Sequence, residues 1–227
     1  MKKSKERIEA EKVCDMSFKK RWENFWYYNK LTIGIVAFVV ILVGMFIHDI
    51  VTRVEPDYTI GIVTDKYFLP DQLLEIEKRV EAVGKDVDGN GSVDVDVMLY
   101  QLSKDENSPI DPNTQMANNA RLIGDIDGVQ SAIFLSDDPE FYQEVMQLFS
   151  YKDGSQIEEN FVPTADEMGV DMLDTQIFSD MGGMGFDDFK VCLRVTPHES
   201  MIRKEKVRLH YYEAVELYHK IVGDING

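Results

Sequence analysis

The chain has 227 residues, with 24 Lys and Arg against 41 Asp and Glu, for a formal charge of -17. Apolar residues make up 44% and aromatic residues 11%, which excludes a disordered chain. So acidic a composition also excludes sequence-independent binding of nucleic acid, which needs Lys and Arg facing phosphates.

The charge is unevenly divided. Residues 1–30 carry nine basic and five acidic side chains, net +4, whereas residues 53–227 carry 15 and 35, net -20. Between them Leu31–Ile47 runs 17 residues without a charge, LTIGIVAFVVILVGMFI, and Ile50 and Val51 extend the run past His48 and Asp49. As a helix, 17 to 21 residues span roughly 26–31 Å, the thickness of a bilayer's hydrocarbon core. A soluble core helix seldom runs this long without a polar face. A cleaved signal peptide has a shorter apolar region followed by small residues, but here Met45, Phe46, Ile47 and His48 follow Gly44. Residues 31–51 are therefore expected to cross a lipid bilayer once.

Lys19, Lys20, Arg21 and Lys30 precede the span, and Arg53 alone follows it among Asp49, Glu55 and Asp57. The positive-inside rule then places residues 1–30 in the cytoplasm. After a linker at 52–57, residues 58–227 lie outside the cell membrane. Trp22, Phe25, Trp26, Tyr27 and Tyr28 suit an interfacial aromatic belt. The two cysteines, Cys14 and Cys192, fall on opposite sides of the span, so no intrachain disulfide is expected. Cys192 reads as a small packed residue in a strand.

The outer segment alternates strand and helix patterns. Tyr58–Thr64 is a β-rich run. From Pro70 to Val83, apolar residues recur at helical spacing, with Glu75 and Arg79 as a favourable i,i+4 pair. Val93–Leu102 alternates as a half-buried strand, Thr114–Ile123 is weakly helical, and Ser131–Leu135 is a short buried-type strand. Pro139–Phe149 starts a helix with Pro in a favoured place. Phe189–Thr196 alternates again, and Ile202–Val222 is a long helix ended by Gly223. Strands separated by helices need right-handed crossovers, so the fold class is α/β: an N-terminal transmembrane helix, then a mainly parallel sheet with helices on both faces.

Three features carry candidate chemistry. Asp86, Asp88 and Asn90 alternate, Gly91 follows, and Val93 stands two further on. Side-chain oxygens at alternate positions with a glycine turn can converge on one Ca²⁺. The candidate ligands are Asp86, Asp88, Asn90, Ser92 and Asp94, with calcium as the candidate cofactor. Position 12 of such a loop is normally a bidentate Glu but is Val97 here, so a distant acid would have to complete the shell. The same residues also serve an ordinary turn between helix and strand. Second, Asp125 and Asp127 have the spacing of a hydrolase nucleophile motif, although a helical pattern rather than a strand precedes them. Third, residues 153–189 hold ten acids and no Lys or Arg, which reads as a solvated, partly mobile flap. Lys190, Arg194, Arg203, Lys204, Lys206 and Arg208 follow closely, four of them near the positive end of a helix macrodipole, so something negative must compensate them. The acidic flap is the expected partner, with an anionic ligand or lipid headgroup second.

The Asp86–Asp94 loop resembles an EF-hand or dockerin calcium loop. The run Trp22-x-x-Phe25-Trp26-Tyr27-Tyr28-x-Lys30, a span and an acidic α/β domain together resemble a family of uncharacterised single-pass membrane proteins of Gram-positive bacteria. The helix from Asn113 to Gly124, the Ser131–Leu135 strand and the helix after Asp138-Pro139 are similar to one lobe of an extracytoplasmic solute-binding protein. These resemblances imply a membrane-anchored binding or interaction module, not an enzyme, with an unknown protein or small-molecule partner outside the cell. The alternatives are a haloacid-dehalogenase-like hydrolase using Asp125 and Asp127, and a structural envelope protein.

Overall fold

A computed structural model describes residues 18–52, 55–105 and 108–223. Cys14 and the rest of residues 1–17 lie outside the described residues. The chain forms two units, Met1–Val54 and Glu55–Gly227.

The described residues of the first unit form the helix α1 (Phe18–Thr52). It takes in the whole predicted span and the Trp22–Tyr28 aromatics on a single axis about 52 Å long. Most of its described apolar side chains are exposed. It is long and apolar enough to span a membrane.

The second unit is built on β1 (Tyr58–Thr64), α2 (Pro70–Glu81), β2 (Val95–Gln101), α3 (Pro112–Gly128), β3 (Ser131–Ser136) and α4 (Pro139–Met146). It is completed by α5 (Ala165–Met168), β4 (Gly169–Asp171), a 3-10 turn at Met172–Asp174, β5 (Lys190–Leu193) and α6 (Glu205–Val222). The five strands form one sheet in the order β2-β1-β3-β5-β4. The β2-β1-β3 core is parallel, while β5 pairs antiparallel with both β3 and β4. The expected mainly parallel sheet thus describes the core, and the whole sheet is mixed.

Strand alternation assigns the two faces. Ile60, Ile62, Val97, Ile133, Leu135 and Val191 bury one face under α2 and α6, through Ile76, Val80, Leu217 and Tyr218. Val63, Tyr100, Phe134 and Cys192 bury the other under α3 and α4, through Leu122 and Tyr142. The chain winds from β1 outward to β2, then returns across β1 to β3. Right-handed crossovers in opposite directions put their helices on opposite faces, as found for α2 and α3.

Residues 153–189 are not a solvated flap. Met172, Phe178, Met181, Phe186 and Phe189 are buried in the α2/α6 face, and the Phe68 and Phe186 rings stack at 4.4 Å. Lys66, Arg79 and Lys190 pair with Asp188, Asp180, and the pair Asp166 and Asp171. Apart from the short α5, β4 and 3-10 turn, the segment lacks helical or strand periodicity because its aromatic and Met side chains plug the sheet from an irregular backbone.

Gly61 lies where the Phe134 ring crosses β1, and a Cβ there would sit 2.3 Å from that ring. Phe134 is itself fully buried and has no room to yield. Gly61→Ala should therefore cost about 1–3 kcal/mol, the usual penalty of overpacking. Burial pushes the Cys192 thiol up to about 12, so it should resist maleimide at neutral pH until the domain unfolds. In a Cys14→Ser background, labelling of Cys192 across a urea series reports the wild-type midpoint. Gly61→Ala is expected to label at lower urea, and an unchanged midpoint would contradict the packing argument.

Candidate functional site

Two clusters of functional side chains lie at opposite ends of the parallel strands. At the amino end, the α2–β2 connection carries the predicted calcium loop. The Asp86 carboxylate accepts the N–H groups of Gly89 (2.6 Å), Asn90 (3.2 Å) and Gly91 (2.8 Å). These bonds, that of Gly91 foremost, hold its carboxyl below the usual range and keep it charged. Gly89 and Gly91 both have positive φ, 77° and 95°, which only glycine adopts without strain. The Asn90 amide nitrogen donates to Asp88 and Asp94, and the Ser92 hydroxyl bonds Asn90 and Asp94. All five predicted ligands therefore belong to one hydrogen-bonded ring.

The sequence pattern did not single out Asp57, which precedes β1. Its side chain is buried, 2% exposed, and accepts N–H groups from Val87, Asp88 and Asp94 at 2.8, 3.1 and 2.9 Å. Carboxylate oxygens of Asp57, Asp86 and Asp88 lie within 4.8 Å of one another. Two oxygens each about 2.4 Å from a Ca²⁺ ion are no more than about 4.8 Å apart, so the trio fits the donor set of such an ion. Val97, at position 12, is buried in β2 and supplies nothing. Asp57 is an acid distant in sequence beside the loop, and it organises the loop through backbone amides. Asp57→Ala should strand three N–H groups and destabilise the domain by about 3 kcal/mol in urea unfolding, with or without calcium.

At the carboxyl end, a cleft of about 320 Å³ opens where β1, β2 and β3 terminate. Its charged lining comes from residues just past each strand: Asp65 and Lys66 after β1, Lys104 after β2, Asp137 and Asp138 after β3. Asp188, ahead of the antiparallel β5, closes the rim, and Phe141 and Tyr142 of α4 form an aromatic wall. β1 and β3 are the neighbours between which the winding reverses. Loops there diverge to opposite faces and leave a crevice, the usual ligand position in open α/β sheets.

Inside this cleft, Thr64 Oγ1 donates to Asp137 at 2.9 Å, and Lys66 Nζ lies 3.4 Å from Asp137 and 3.5 Å from Asp188. Lys104 pairs with Asp138, whose other oxygen caps α4 at the Phe141 N–H. Burial raises the Asp137 carboxyl above its ordinary value, against the lowering pull of Thr64 and Lys66. No pattern within a single segment marks these residues. For Asp65, Lys66, Lys104 and Asp137 the signal was a position one or two residues beyond predicted strand ends; Asp138 and Asp188 do not share it.

Asp125 and Asp127 lie within the last turns of α3 rather than at a strand's carboxyl end. The Asp125 carboxylate is buried and accepts Tyr100 Oη at 2.6 Å, Ser131 N at 2.7 Å and Ser131 Oγ at 2.5 Å. Arg194, 1% exposed, donates to the Ser131 and Ile126 carbonyls and so caps the carboxyl end of α3. It is compensated from within, not by the acidic segment. The basic cluster divides accordingly: Arg194 turns inward, Lys190 meets Asp166 and Asp171, and Lys206 pairs with Glu55.

Comparison of the chain with known proteins found no matching family model, no matching curated protein and no matching solved structure.

Because the folded-state value of Asp137 is raised, the native state binds a proton more readily than the unfolded state at pH between the ordinary and the raised value. This group therefore favours folding as pH falls from the raised value into the ordinary carboxylate range, and opposes it above. Relative to Asp137→Asn, the wild type should gain stability from pH 7 to mildly acidic pH, measured by urea midpoints. A pH-independent difference would refute the burial assigned to Asp137.

Proposed function

We propose that the chain is a single-pass membrane protein that holds its acidic α/β domain outside the cell as a binding module for a small ligand. The observation that carries this reading is the cleft at the carboxyl ends of β1, β2 and β3, where the fold itself opens a crevice. Its four aspartates outnumber its two lysines, so it suits a small molecule bearing an ammonium group, with Phe141 and Tyr142 against its apolar part. The lysines are held in ion pairs with Asp137, Asp138 and Asp188. This arrangement supports positioning of a charged ligand more than proton transfer. Asp125, engaged by three donors in the core, supports a structural role and weakens the hydrolase alternative.

Membrane anchoring is supported by the length and apolar composition of α1. The orientation is supported by Lys19, Lys20, Arg21 and Lys30 ahead of the apolar run and the acidic excess behind it. Calcium at the Asp86–Asp94 loop is a further part of the proposal, with Asp57, Asp86 and Asp88 as the converging carboxylates. Its role there would be to neutralise charge and stiffen the loop that precedes β2.

Three measurements test these parts separately. A periplasm-active reporter fused behind Gly227 should be active, and activity confined to a cytoplasmic reporter would reverse the topology. Detergent-solubilised full chain, screened by thermal shift against small amines, amino acids and polyamines, should gain stability with at least one compound. That gain should vanish in Asp137→Asn; a flat screen would favour a structural envelope role. Calorimetric titration with Ca²⁺ should give binding heat that Asp88→Asn reduces by about tenfold in affinity or more. No heat in the wild type would leave the loop as a turn alone.

A further inference from the structure

We propose that the start of α6 docks on anionic phospholipid headgroups of the bilayer that α1 spans, an inference that rests on the membrane reading above. Arg203, Lys204 and Arg208 are exposed within six positions, in a domain whose charge is otherwise strongly negative. Elsewhere in this domain Lys66, Arg79, Lys85, Lys104 and Lys190 meet carboxylates, whereas Lys78, Arg121, Lys152 and Lys220, which do not, stand singly along the chain. Among the described residues, Arg203, Lys204 and Arg208 have no such partner. With 35 acids in residues 53–227, local neutralisation was within reach of the fold. The acids in the same stretch, Glu199 and Glu205, leave it net positive.

Two apolar side chains share this surface. Leu209 is 47% exposed and Tyr212 is 54% exposed, one turn apart on α6. Basic residues just ahead of an exposed Leu and Tyr on a helix match the chemistry of the bilayer interface, where cations meet phosphates and the rings sit at headgroup level. Lys206, between Lys204 and Arg208, pairs with Glu55. In the sequence Glu55 stands three positions after Thr52, the last residue of α1. An anionic surface against the start of α6 supplies the negative charge that the positive end of its macrodipole and its cations lack.

The test uses the full chain reconstituted in nanodiscs of phosphatidylcholine alone or with phosphatidylglycerol, read by hydrogen exchange. Peptides covering 200–213 should exchange at least about fivefold more slowly in the phosphatidylglycerol discs, the effect expected of one basic residue at an anionic surface. The protection should be lost in high salt and in R203E/K204E/R208E, while peptides from β1 and β3 stay unchanged. Should that triple variant disturb the fold, R203Q/R208Q is expected to lose most of the same protection. A disc-embedded chain whose 200–213 exchange ignores lipid charge overturns this inference and leaves the membrane reading intact. A chain that stays out of the discs overturns both.

Discussion

Strand β1 is paired along both edges and covered on both faces, and that double enclosure governs the rest of the domain. Its neighbours β2 and β3 are both parallel to it, so the chain must leave β1 in one direction and return across it in the other. The right-handed preference of such crossovers then sends α2 and α3 to opposite faces. Their loops separate at the carboxyl end, and the cleft is the space between them. At the amino end the same strand begins beside Asp57, whose buried carboxylate gathers the Asp86–Asp94 loop. Both clusters are thus consequences of where one strand starts and stops.

The domain tolerates its acidity because apolar burial, not charge pairing, holds the acidic segment down. Phe178, Met181 and Phe186 are fully buried, and burying such side chains contributes roughly 1.5–3 kcal/mol each. The ion pairs of Arg79, Lys85 and Lys190 lie at or near the surface, where each contributes at most about 1 kcal/mol. Their value lies in placement: Arg79 ties α2 to the Asp180 turn, and Lys190 ties β5 to α5 and β4. The buried Arg194 is a different case. Its guanidinium is satisfied by helix-terminal and strand carbonyls near the Asp125 carboxylate, a network that fixes the α3–β3 junction.

Several elements were legible from local pattern alone. Tyr58–Thr64 appears with the predicted bounds, and Ser131–Leu135 gains a single residue, because fully buried strands write continuous apolar runs. The helix predicted at Thr114–Ile123 runs from Pro112 to Gly128, since its buried face uses Asn118 and Asp125 beside Leu122, and polar residues blur the period. β4 was missed because three residues are too few to alternate. The five loop residues Asp86, Asp88, Asn90, Ser92 and Asp94 were found by spacing, and they do share one hydrogen-bonded ring. Asp57, 29 residues before the first of them, carried no spacing signal.

The sequence by itself determined what depends on neighbours along the chain: an uncharged run long enough to cross a bilayer, the alternation of strands and helices, and a loop whose glycines and carboxylates fold back on themselves. These are short-range properties, set by side-chain period and backbone freedom within a few residues. Tertiary structure alone decided which carboxylates meet. It turned Asp125 and Arg194 into core groups, placed Asp57 under the loop, and gathered Lys66, Lys104 and Asp137 from the ends of three strands. Those meetings depend on strand order and crossover direction, which bring together residues many positions apart.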